Sequence, residues 1–315
     1  MRTRPGVTLL EVLIAIFIMG IGLLALLTLF PVGATTMTQA MRDARCAEAG
    51  YNARSVCFAQ SIMHEPAINQ FFTTGTGAAP LTPDWNGPSY PVFVDAIGVR
   101  YIGLTNTPLT ANIPRTSSAL APDSASALRW YSLHDDYTFD NNGSARNAAT
   151  GVERESKYTW AYVMKLPNIQ TPSVVDIYAV VYQGRNLQVP GGETQYMVIP
   201  TAQPKTLVVA YNGTNKPNVK RGGWILDTTF YDPSKPATRP LAQKYGPVPA
   251  NFYRVVDVTD INVAGVGPAV EVELQTNLVS PQGSIPPVQT IMVLDNVAEV
   301  FSIGTGWNAG QGSTP

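Results

Sequence analysis

The chain has 315 residues, long enough to bury a substantial hydrophobic core in one large or two modest domains, which excludes a small scaffold held by disulfides. Charged residues are 14% of the total, against roughly 25% in an ordinary soluble domain, and 21 Lys and Arg nearly balance 22 Asp and Glu. Without clustered cations there is no means of gripping a phosphate backbone, so no nucleic-acid partner is expected.

The N-terminus reads Met1-Arg2-Thr3-Arg4-Pro5-Gly6, then Val7-Thr8-Leu9-Leu10-Glu11, then an apolar run. From Val12 to Phe30 there is no charge, and Thr28 is the only polar side chain. As a helix these residues rise about 28 Å, which matches the roughly 30 Å hydrocarbon core of a bilayer. Three readings of the segment compete. A secretory signal peptide would use Val32-Gly33-Ala34 as its cleavage site, but its apolar core is normally shorter and Glu11 is penalised within it. A plain signal anchor accounts for the length and not for the glutamate. Cleavage between Gly6 and Val7 accounts for both. It frees an ammonium at Val7 and leaves Glu11 about one helical turn away, where the helix dipole favours a carboxylate. Among helices packed side by side with an axial shift, the Glu11 carboxylate of one meets the Val7 ammonium of the next. In low dielectric such a pair is favourable only when matched, so the acid sets an assembly register.

The junction at Gly6, the run Val7-Thr8-Leu9-Leu10-Glu11-Val12-Leu13-Ile14-Ala15 and the long apolar helix resemble the class III signal of type IV pilins and of the pseudopilins of type II secretion systems. The stretch Met19-Gly20-Ile21-Gly22-Leu23-Leu24-Ala25-Leu26-Leu27 looks most like minor pilins and I-type minor pseudopilins. Two positions depart from the usual pattern, Val7 where phenylalanine is common and Pro5 where a basic or polar residue is. The resemblance implies a prepilin peptidase that cuts between Gly6 and Val7 and methylates Val7, with Glu11 as the assembly residue. It also implies further pilin or pseudopilin subunits and an inner-membrane assembly platform as partners. The expected placement is a single pass through the bacterial inner membrane, with the head in the periplasm and the assembled subunit in a periplasmic or surface filament.

Beyond the span, Pro31 and Gly33 predict a kink. Met37, Met41, Ala44, Tyr51, Phe58 and Ile62 then recur at helical spacing, interrupted by Glu48 and Ser55, and are expected to dock on the head. Cys46 and Cys57 fall on this helix about 16 Å apart, too far to pair if it is continuous, and are read as two small thiols, with a disulfide across a break or between chains as the alternative. The helix is expected to run from Val7 to about Met63 and to be ended by Pro66 and the Gly, Pro and Thr run at 73–80.

The division that follows is a leader at 1–6, a membrane-spanning and filament-core helix at 7–30 and a periplasmic amphipathic helix at 31–65. An irregular Pro- and Gly-rich elaboration at 66–157 and a β-rich head at 158–315 complete it. Within the elaboration a short helix is expected near Ala119–Trp130. In the head, strands are expected at Tyr158–Leu166, Val174–Tyr182, Gln195–Ile199, Thr206–Tyr211, Trp224–Tyr231, Phe252–Thr259, Ala269–Leu278 and Thr290–Ser302. The fold class expected is α+β, a long helix packed by its C-terminal half on a large, mostly antiparallel β head.

Candidate chemistry in the head is sparse. His134-Asp135-Asp136 carries ligand-type atoms, but neighbouring residues point in different directions. Asp140-Asn141-Asn142-Gly143 reads as a turn and lacks the alternating acids of a calcium loop. Gly304-Thr305-Gly306-Trp307-Asn308-Ala309 imitates a nucleotide fingerprint with no room for the helix it needs. No catalytic residue, metal or cofactor is expected, and the chain is read as non-enzymatic. The function expected is a minor pilin or pseudopilin subunit. The alternative is a membrane-tethered, adhesin-like protein whose head recognises a surface, substrate or partner protein.

Overall fold

A computed structural model describes residues 9–74, 89–104, 108–110, 113–134, 144, 147–148, 151–152, 155–167, 174–186, 192–199, 201, 203–213, 215–229, 250–278 and 289–307. The chain divides into two compact units, Met1–Ala47 and Glu48–Pro315. Helix α1 (Leu9–Ala59) begins in the first and ends in the second. Leu and Ala, both strong helix formers, are its commonest residues. Pro31 lies inside it and does not interrupt it, because one missing N–H removes one ladder bond while those on either side continue.

The helix stops earlier than expected. Ser61 takes a left-handed conformation (φ 49°), after which Ile62–His64 form a single 3₁₀ turn. Pro66 then opens helix α2 (Pro66–Thr74) instead of closing α1. Proline at a first helical position gives up an N–H that has no intrahelical acceptor anyway. The carbonyl of Glu65 accepts the N–H groups of Ile68 and Asn69 at 2.9 and 2.8 Å, and its carboxylate takes the Ser118 hydroxyl at 2.6 Å and the Ala119 N–H at 2.7 Å.

Next in the chain come β1 (Ser89–Val94), α3 (Ala96–Arg100), β2 (Arg115–Thr116), α4 (Ser124–Tyr131) and a minimal pair, β3 (Asn147–Ala148) and β4 (Gly151–Val152). The helix expected near Ala119–Trp130 is α4. It begins where the Asp123 carboxylate caps the Ser126 N–H at 2.8 Å. The long strands follow as β5 (Tyr158–Leu166), β6 (Val174–Gln183), β7 (Glu193–Ile199), β8 (Thr206–Ala210), β9 (Trp224–Asp227), β10 (Phe252–Val263), β11 (Gly267–Leu274), β12 (Thr290–Leu294) and β13 (Val297–Trp307). The single strand expected at Thr290–Ser302 is two. A turn at Asp295-Asn296, with Asn296 left-handed (φ 64°), divides β12 from β13.

These strands make two bodies. One is a five-stranded sheet in the order β13-β6-β5-β1-β2, antiparallel except where β1 meets β2. The other is a closed antiparallel barrel, β10-β11-β8-β7-β12-β9, sealed by β9 pairing with β10. The two-residue turn at Asp295-Asn296 therefore hands the chain from barrel to sheet. Inside the barrel pack Leu207, Val209, Ile225, Val255, Val272 and Val293. On its outer wall Leu226, Met292 and Leu294 meet Phe93, Val163 and Val180 of the sheet. Strand alternation accounts for both, since neighbouring residues of β9 and β12 serve opposite sides of one wall. The α+β plan, a long N-terminal helix and a mostly antiparallel β head, is the fold of the chain.

The other face of the sheet receives the end of α1. Tyr162 of β5 donates to the Ala53 carbonyl at 2.7 Å and accepts the Trp160 indole N–H at 3.2 Å, with Tyr131 of α4 edge-on to it at 6.0 Å. The helix presents Ala49, Gly50, Ala53 and Cys57 here, all buried. Of the expected stripe, Ile62 is buried, but the two aromatic residues are not. Tyr51 and Phe58 are 71% and 38% exposed. Large aromatic rings on the sheet supply the volume, so the helix contributes small residues that let its backbone approach. A Cβ added at Gly50 would lie 2.7 Å from the Phe301 ring. Gly50→Val is accordingly expected to destabilise the second unit by about 1–3 kcal/mol through overpacking, read as a lower midpoint of thermal unfolding.

Candidate functional site

In the first unit, α1 carries Glu11 in its first turn, where unsatisfied N–H groups and the helix dipole favour a negative charge. Gly6 and Val7 lie outside the described residues. From Leu13 and Phe17 through Leu24 and Leu27 to Phe30 the large apolar side chains are exposed around the whole circumference. No charged residue lies among them, and the helix is long and apolar enough to cross a bilayer. Its hydroxyls ask nothing of the surroundings. Thr28 donates to the Ala25 carbonyl at 2.8 Å, Thr35 to Val32 at 2.9 Å and Thr38 to Ala34 at 2.9 Å. A helix whose polar groups are satisfied internally and whose sides are greasy all round is suited to hydrocarbon or to other helices of its kind.

The second unit holds two buried charge clusters that sequence reasoning missed. Asp95, between β1 and α3, accepts the Gly98 N–H at 2.8 Å, two bonds from Arg185 at 2.7 Å each and one from Arg115 at 2.9 Å. Arg115 also donates to Glu193 of β7, which Arg185 approaches at 3.5 Å. The guanidinium groups lie over Phe93 and Tyr182, 5.3 and 4.6 Å from the ring centres. Gly98 is required, because a Cβ there would fall 2.0 Å from the Asp95 carboxylate. Burial pushes the Asp95 carboxyl up, but Arg185, Arg115 and the Gly98 N–H outweigh it and hold it below its ordinary range. Two cations and two anions compensate one another, a structural tie between sheet and barrel.

The second is a pair of buried charges, Lys165 where the sheet faces the barrel and Asp227 at the end of the barrel interior. Lys165 of β5 donates to the Asn251 side chain and to the Ala250 carbonyl at 3.4 Å, with its ammonium 5.1 Å from the Tyr178 ring centre. Burial pulls it down to about 8. Asp227, the last residue of β9, accepts the Thr229 N–H at 2.9 Å, and burial pushes it up to about 6. The available sequence signal was one charged residue inside an otherwise apolar strand.

The motifs singled out in the head supply little chemistry. His134 Nε2 sits 3.2 Å from the Arg129 carbonyl, while Asp135, Asp136 and the run from Asp140 to Gly143 lie outside the described residues. Gly304, Thr305, Gly306 and Trp307 belong to strand β13, whereas Asn308 and Ala309 lie outside the described residues. Among the described residues no group of three His, Cys, Asp or Glu is placed to hold a metal. Cys46 and Cys57 are thiols, not a disulfide, and burial pushes Cys57 up to about 12, which leaves it unreactive at neutral pH.

Residues 1–27 match the family model of the prokaryotic N-terminal methylation motif, the signal of type IV pilins and pseudopilins. No curated protein and no solved structure matches the chain.

Proposed function

We propose that this membrane-anchored, pilin-like protein is a non-enzymatic minor pilin or pseudopilin, a subunit of a type IV pilus or of a type II secretion pseudopilus. Prepilin peptidase cleaves between Gly6 and Val7 and methylates Val7. The subunit stands in the inner membrane with its head in the periplasm until the assembly platform adds it to a filament. The observation that carries this reading is an exposed apolar helix with one carboxylate in its first turn, preceded by a glycine junction. In the filament, neighbouring helices replace lipid around Val12–Phe30, and Glu11 of one subunit meets the Val7 ammonium of another, which fixes their axial offset.

Intact mass and N-terminal sequencing of protein purified from a host with an active peptidase test the reading. The expected chain begins at N-methylated Val7. A chain that retains Met1 to Gly6, or one that begins at Thr35 after the Val32-Gly33-Ala34 site, overturns it.

A further inference from the structure

At one end of the barrel a cavity of about 80 Å³ opens between β7, β8, β9 and β12. Its apolar wall is Val198, Leu207, Leu278 and Ile291, and it is also lined by Asp227, Thr201 and Thr206. Strand alternation places Asp227 on the same side of β9 as Ile225, which packs in the barrel interior. The carboxylate therefore stands at the end of the barrel's own core. It is 3% exposed, and the donors that reach it among the described residues both belong to Thr229, through its N–H and its hydroxyl. A carboxylate has room for about four hydrogen bonds. This one has acceptor capacity left over, in a place where bulk water is scarce.

The neighbouring hydroxyls add to that excess. Thr206 donates to the Gln203 side-chain oxygen at 3.2 Å, and Thr201 donates to main-chain carbonyls, that of Gln203 lying 2.9 Å away. Their protons are used within the wall, so both offer an occupant oxygen lone pairs. A space with an anionic floor, hydroxyl acceptors and an aliphatic wall asks for a ligand that brings donors, positive charge and methylenes. The volume holds several waters or one short chain. Among the described residues no three His, Cys, Asp or Glu converge on a metal, and the aliphatic wall favours a cation that carries methylenes.

The geometry points to a binding site for a primary ammonium group on a short alkyl chain, with Asp227 as its counter-ion. The three N–H donors of the ammonium meet the Asp227 carboxylate and the Thr201 and Thr206 oxygens, while the methylenes lie along Leu207, Leu278 and Ile291. A lysine side chain of a partner protein and a free amine share this chemistry. Binding needs the ionised carboxylate. Burial holds Asp227 up near 6, and the one charged group that acts on it among the described residues, the Lys165 ammonium, pulls the other way. Affinity is therefore expected to fall as the pH drops below 6.

The site lies in the second unit, and its occupancy does not depend on how α1 assembles. Calorimetric titration of the full chain in detergent micelles at pH 7.5 with n-butylammonium tests it, with n-butanol as the neutral control. Saturable binding is expected with the ammonium and not with the alcohol, and at least tenfold weaker in Asp227→Asn. Leu278→Trp, which fills the cavity and keeps the carboxylate, is expected to lose binding as well and decides the matter if Asp227→Asn does not fold. Nα-acetyl-lysine amide then separates the sources: tighter binding than n-butylammonium assigns a partner's lysine, and weaker binding a free amine. No saturable binding to the wild-type chain, equal binding of the alcohol, or undiminished binding in a folded variant overturns the proposal. Processing at Gly6 is expected to be unchanged in both variants, so failure here leaves the filament reading standing.

Discussion

Replacing Glu11 with alanine is expected to remove the subunit from filaments while leaving it in the membrane. The variant helix is more apolar than the original, so insertion has no reason to suffer. In the proposed filament, what changes is the neighbour's end of the contact, where a freed Val7 ammonium would be desolvated with no anion to match it. Breaking one partner of a buried pair costs about 3–5 kcal/mol, and 3 kcal/mol is more than a hundredfold in an association constant. Immunoblots of sheared filaments against membranes, with the wild-type chain alongside, report the ratio. The N-terminus of the variant is sequenced in the same samples, so that a loss of assembly is separated from a loss of cleavage. Glu11→Asp keeps the charge on a shorter stem and is expected to recover part of the incorporation. Incorporation of the alanine variant within twofold of wild type sinks the register role of Glu11.

What could be read from sequence follows the range of the interactions involved. The apolar run, the expected strands Tyr158–Leu166 and Val174–Tyr182 and the short helix α4 are set by local periodicity and caps, and they stand within a few residues of where expected. The face of α1 that packs on the sheet differs from the expected stripe at Tyr51 and Phe58 for a physical reason. Hydrophobic periodicity looks for large side chains, and this contact uses Ala49, Gly50, Ala53 and Cys57 against large rings at Tyr162 and Phe301. Barrel closure depends on β9 meeting β10, and the residues between their paired segments leave no periodic trace of that. The charge clusters are harder still. Asp95, Arg115, Arg185 and Glu193 come from four places in the chain and meet only because β1, β2, β6 and β7 converge. Asp227 reads in sequence as a residue in the middle of the strand expected at Trp224–Tyr231, whereas β9 ends on it and the barrel makes it the floor of a cavity.

The Asp95 cluster yields the largest stability effect in the head. Asp95→Asn retains the shape and an oxygen that can accept the Gly98 N–H, but leaves the Arg115 and Arg185 charges facing Glu193 alone. The buried cluster then carries an uncompensated positive charge, and a loss of about 3–5 kcal/mol is expected, with a thermal midpoint lower by roughly 10 °C for a unit of this size. The pH dependence distinguishes this from ordinary repacking. Because the folded carboxyl is held below its unfolded value of about 3.9, the folded state binds fewer protons than the unfolded one as acid is added. Its contribution is complete above that value and is lost as the pH falls through the folded one, so the wild-type chain has a steep acid limb that the asparagine variant flattens. Asp227 acts in the opposite sense. With its folded value near 6, the folded chain keeps a proton that the unfolded chain releases, so this contribution is present below about pH 4 and fades as the pH rises through 6. Urea titrations of the wild type, Asp95→Asn and Asp227→Asn between pH 3 and 7 read the two slopes separately. An acid limb of unchanged slope in Asp95→Asn means the arginines do not hold the carboxylate as the geometry requires. A wild-type slope between pH 4 and 6 in Asp227→Asn means the same for the burial of Asp227.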